Sequence, residues 1–89
     1  MTQAFADPDE LEQFAQRLAT FISTMHEEVA QLNQAFGSLE ETWQDEKRAR
    51  FEEQFGLLLQ QFASFESDAE DQIPYLQSLA ASLRDYLGK

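Results

Sequence analysis

The sequence predicts an all-α protein: an antiparallel two-helix hairpin that dimerises into a four-helix bundle. Three observations carry this reading. Apolar residues recur at a helical period along two long stretches, a short polar break separates the stretches, and only three glycines and two prolines interrupt 89 residues. So few turn residues favour long helices with little loop between them. The length suffices for one domain, residues 1–89, with a thin core. Its expected parts are a first helix at about 8–40, a tryptophan-containing turn at 41–44 and a second helix at about 45–87, kinked near Pro74.

Residues Met1–Ala6 carry neither a cap nor a period and predict a loose tail. A start signal follows at Asp7-Pro8-Asp9-Glu10. Asp7 suits the N-cap, Pro8 the first helical position, and Glu10 the N3 place of a capping box. The carboxylates also complement the positive end of the helix dipole. From Leu11 the stripe runs through Phe14 or Ala15, Leu18, Ile22, Met25, Val29, Leu32 and Phe36 to Leu39, 28 residues in eight steps of three or four. An average step of 3.5 is the heptad period of a helix supercoiling around a neighbour. Gly37 falls inside the stripe and reads as a weak or close-approach position near the helix end.

The break spans Glu40–Thr42. Thr42 stands three residues before Asp45 and is expected to cap the second helix with Asp45 at N3. The second stripe comprises Phe51, Phe55, Leu58, Phe62, Phe65, Ala69, Ile73, Leu76, Ala80, Leu83 and Leu87, ending at Gly88. Pro74 lies within it, where it removes a hydrogen bond and crowds the carbonyl of Glu70. The period continues past Pro74, which predicts a bend and no termination. Two long helices joined by about four residues fold back on each other.

These helices are apolar over more than one seam, since Phe14 and Phe21 flank the first stripe and Leu57 and Leu59 the second. Each such side chain gains ~1.5–3 kcal/mol on burial, so a row of them left in water promotes association. Pairing two hairpins buries both flanks. The expected hairpin and dimer core is therefore Leu18, Ile22, Met25, Val29, Leu32 and Phe36 with Phe51, Phe55, Leu58, Phe62, Phe65 and Leu76. Alanine at Leu18 or Phe62 is expected to cost ~2–5 kcal/mol.

Composition narrows the function. Net charge is −11, from 17 acidic and six basic residues, so a nucleic-acid backbone would be repelled. The basic run Lys47, Arg48 and Arg50 sits among Asp45, Glu46, Glu52 and Glu53 and reads as a solvated face with local ion pairs. No stretch approaches the ~20 apolar residues of a membrane span, and no cleavable signal peptide is evident. There is no cysteine for a disulfide or a thiolate site.

Catalytic patterns fail one by one. His26-Glu27-Glu28-Val29-Ala30 lacks the second histidine of a zinc-protease helix, and one histidine cannot furnish a di-iron bundle. The acidic run Glu66-Ser67-Asp68-Ala69-Glu70-Asp71 has neither the glycine nor the alternating ligands of a calcium loop. No nucleophile elbow or phosphate-binding glycine loop is present. The chain is expected to be no enzyme and to use no cofactor or metal.

Trp43, the single tryptophan, falls in the connection and is followed by Gln44 and Asp45. A large aromatic at a hairpin tip either seals the core beneath it or fills a partner groove. With two heptad-like helices and a central Leu39…Trp43-Gln44-Asp45…Phe51, the whole chain resembles the WXG family, the small ESAT-like substrates of type VII secretion. The resemblance implies a hairpin that pairs with itself or with a similar hairpin, its Trp-X-Gly turn at the tip. Trp43 takes the place of the family tryptophan and Asp45 that of the glycine. Family export signals set a tyrosine four residues before an acidic residue; Tyr75 is followed there by Leu79, and Tyr86 has no such partner.

The resemblance thus implies a protein secreted without a cleaved signal peptide, or associated with secretion, that acts through helix–helix recognition. Trp43, Asp45 and Thr42 form its turn motif. A second copy of the chain is the expected partner, a similar hairpin the variant of that reading, and secretion machinery a further contact. The competing expectation is a cytoplasmic adaptor or chaperone-like hairpin that masks an apolar helix of a larger protein.

Overall fold

A computed structural model describes residues 6–88; the expected loose tail lies, up to residue 5, outside them. The order is α1 (Pro8–Ser38), a single 3₁₀ turn (Leu39–Glu41) and α2 (Glu46–Leu87). The two helices pack antiparallel into a rod 67 Å long and 22 by 17 Å across.

α1 begins where the sequence signals it. Asp7 is the N-cap, its Oδ1 accepting from the Asp9 N–H at 2.9 Å, with Pro8 inside the first turn. The helix runs past Gly37 to Ser38. A Cβ at Gly37 would meet nothing within 4 Å, so this glycine is no close-approach site. Leu39 leaves the α-helix and opens the 3₁₀ turn, which tightens the chain for its reversal.

α2 starts differently from expectation. Its N-cap is Asp45, whose Oδ1 accepts from the N–H groups of Lys47 at 3.0 Å and Arg48 at 3.2 Å. Thr42 instead closes the 3₁₀ turn, donating through Oγ1 to the Leu39 carbonyl at 3.5 Å. A carboxylate is a stronger acceptor for helix N–H groups than a hydroxyl, and it adds charge at the positive end of the dipole. α2 continues unbroken across Pro74 to Leu87. The hydrogen bond lost at Pro74 is one among the many of a long helix, and packing against α1 holds the rest.

The seam between the helices is narrow. Ala15, Ile22, Phe55, Ala69 and Ala80 are buried, and Ala15 and Ala80 are wholly inaccessible. Small side chains at both positions let the backbones approach at the open end. Bulkier Phe36 and Phe55, with ring centroids 5.0 Å apart, fill the tip end. Polar contacts reach across the seam on one side. Arg84 donates to Asp9 at 2.6 Å and to Glu12 at 2.9 Å, and His26 Nδ1 lies 2.8 Å from Glu66 Oε2. The hydrogen bonds to Glu12 and then Asp9 hold the Arg84 guanidinium still more firmly protonated than usual.

Candidate functional site: an aromatic tip and an open apolar face

The tip is built around one oxygen. Asp45 Oδ1, already the cap of α2, also accepts from the Trp43 indole Nε1–H at 3.0 Å. The Trp43 N–H donates to the Leu39 carbonyl at 2.7 Å, which anchors the residue to the end of the 3₁₀ turn. Its indole is half-buried, with the ring centroid 6.0 Å from that of Phe51. Phe51 in turn lies 5.7 Å from Phe36 and stacks on Phe55 at 5.9 Å. Trp43 therefore continues the aromatic column of the core and still presents an edge to solvent.

The sequence places Arg48 on a solvated face, yet its side chain is only 13% exposed. Its guanidinium carbon lies 4.7 Å from the centre of the Phe36 ring, with Glu40 at 3.6 Å and Glu52 at 3.8 Å. A guanidinium that lies over an aromatic ring while it meets carboxylates explains the burial. Lys47 and Arg50 stay exposed.

The hairpin covers only part of the apolar surface. Of the residues assigned to the core, Ile22 and Phe55 are buried, while Leu18, Met25, Val29, Phe36 and Leu76 are half-buried. Leu32, Phe51, Leu58, Phe62 and Phe65 are exposed. The exposure follows the heptad. On α2 the open row is Phe51, Leu58, Phe65, Gln72, Leu79 and Tyr86, spaced by seven; on α1 it is Phe14, Phe21, Glu28 and Ala35. Phe21 and Phe65, 54% and 46% exposed, meet edge to face at 6.2 Å, so both rows lie on one side of the hairpin.

The opposite side mixes polar and apolar residues. There Ala19, Ile22, Ser23, Glu66, Glu70 and Ile73 line a groove of about 470 Å³ beside His26. His26 is exposed and bonds across to Glu66. Among the described residues no group of three His, Cys, Asp or Glu side chains is placed to hold a metal ion. Nor is any helix among them long and apolar enough to cross a membrane. Sequence reasoning did not find the pairs Arg84–Asp9, Arg84–Glu12 and His26–Glu66, whose partners stand 40 to 75 residues apart.

A hairpin of two long helices, tipped by a tryptophan and bare along one apolar face, defines the class of ESAT-like helical hairpins. Within that class the chain belongs to the WXG100 family, proteins of 100 residues with WXG, whose family model matches residues 5–86. No curated protein matches the sequence. Among solved structures the fold is similar to EsxB, a secreted protein from Bacillus anthracis str. Sterne: TM-score 0.79 at 22% identity, covering 97% of this chain and 98% of that one. A glutamate-to-glutamine mutant of that protein gives a TM-score of 0.80 at 23% identity over 97% and 96% of the two chains. A proline-to-alanine mutant of it gives 0.82 at 22% over 96% of each.

Proposed function

We propose that this protein is a small, non-enzymatic interaction protein of type VII-like secretion, acting as one half of a four-helix bundle. The observation that carries the reading is the open apolar face. Phenylalanines and leucines in heptad register are left in water by the hairpin, and each gains ~1.5–3 kcal/mol when a partner covers it. Heptad rows are the geometry by which one pair of helices packs against another. Membership of the WXG100 family and likeness to a secreted protein support the export part of the reading. Trp43 and Asp45 form the tip that the secretion machinery would meet.

The pairing is tested by light scattering on the purified chain over a dilution series. A mass twice the 10.3 kDa of the monomer is expected; a monomer at every concentration overturns self-pairing. Export is tested by fractionating cultures of a strain with a working type VII system. Protein in the medium, lost when the secretion ATPase is deleted, is the expected result, and strictly cell-bound protein overturns it.

A further inference from the structure

The open face carries one carboxylate that its apolar surroundings do not explain. Glu28 takes a place in the row Phe14, Phe21, Glu28 and Ala35, and covering that row brings it into an interface. A buried carboxylate without a cation is costly, so the occupant of this face must supply one. Arg17 is the only lysine or arginine of α1. It is exposed beside Phe21 and makes no ion pair among the described residues. Residues 17 and 28 are eleven apart, three turns of helix to within about 20°, so they lie along the same stripe of α1.

With the rods aligned, as in a four-helix bundle, two open faces can be stacked by a twofold axis in two ways. If the axis runs along the rod, the tips lie together and α1 covers the partner's α2. The level of residue 28 then falls near residues 63 to 66, as the contacts His26–Glu66 and Phe36–Phe55 show. Nothing there is cationic: α2 has no lysine or arginine between Phe51 and Leu83. If the axis runs across the rod, the tips lie at opposite ends and α1 covers the partner's α1, antiparallel. An axis at the middle of Pro8–Ser38, residue 23, gives the greatest overlap. It sets Glu28 opposite position 18 of the partner, within one residue (~1.5 Å of rise) of its Arg17.

We propose that the occupant of the open face is a second copy of this chain, stacked with its tip at the opposite end and keyed by two reciprocal Arg17–Glu28 pairs flanking Phe21. The inference rests on the self-pairing reading above. Symmetry makes each pair occur twice, so a register slip breaks both at once, and the arrangement with tips together leaves every Glu28 without a cation. The pairs select orientation and register, while the phenylalanines supply the affinity.

The test uses the full chain. Arg17→Glu and Glu28→Arg, each alone, should raise the dissociation constant at least about tenfold, because each sets like charges face to face. The double reversal should return it to within about threefold of the unaltered protein. Circular dichroism at high concentration checks that each variant is still helical. A nitroxide on a Glu41→Cys variant should report a tip-to-tip distance comparable to the 67 Å rod. A double reversal no better than the singles, or a short distance between tips, overturns the proposal and leaves dimerisation standing. An unaltered chain that never dimerises overturns the self-pairing reading and this one with it.

Discussion

One oxygen of Asp45 takes hydrogen bonds from the Trp43 indole and from the Lys47 and Arg48 backbone, so a single side chain starts α2 and orients the tip. This accounts for an aspartate where the family motif has glycine: glycine could begin the helix but could not hold the indole. Asp45→Ala should cost about 1–2 kcal/mol, the sum of a lost cap and a freed N–H. The denaturation midpoint should fall and the tryptophan emission should shift. Asp45→Asn keeps an acceptor and should lose less. That Trp43 marks the reversal was legible in the sequence, since a lone aromatic stood between two helical stripes. The choice of Asp45 over Thr42 as cap was not, because both precede an apolar stripe at a suitable distance. The indole bond and the 3₁₀ turn, neither visible in a linear pattern, decide between them.

Along each helix the period revealed which residues are apolar-facing but not which of two adjacent heptad rows the hairpin would take. Phe55 is buried and Phe51 exposed although both belong to the second stripe. The rotation of α2 about its own axis separates them, and α1 sets that rotation through contacts far away in sequence. The fully buried Ala15 and Ala80 are part of that constraint. Ala80→Leu should force the helices apart at the open end and cost ~1–3 kcal/mol, read as a lower melting midpoint. Pro74 has the opposite sign. α2 passes through it without interruption, so Pro74→Ala restores an N–H donor for the Glu70 carbonyl and removes a ring clash. The melting midpoint should rise, by the equivalent of up to about 3 kcal/mol.

For the whole molecule, the proposed self-pairing links stability to association. The partner that covers the bare apolar face also stabilises the thin seam, so the melting temperature should climb with protein concentration. Phe65→Glu, at the middle of the open face, should abolish the rise and leave a monomer with reduced helicity, seen by circular dichroism across the same dilution series. Glutamate at exposed Gln60, on the outer surface of α2, should change neither.

The antiparallel hairpin also fixes an order of events in time. Contacts near the tip join residues close in sequence, with Trp43, Phe51, Phe55 and Phe36 separated by at most 19 positions, whereas Arg84 and Asp9 are 75 apart. Loop closure is cheapest where the loop is shortest, so the aromatic column can nucleate and the helices zip outward from it. Phe36→Leu should then slow folding, while Ala80→Gly should mainly speed unfolding. In reverse, the same asymmetry makes the rod peel from its open end: a pull on the C-terminal end of the chain meets Arg84 first and the aromatic column last, and a translocating motor would work against one helical turn at a time.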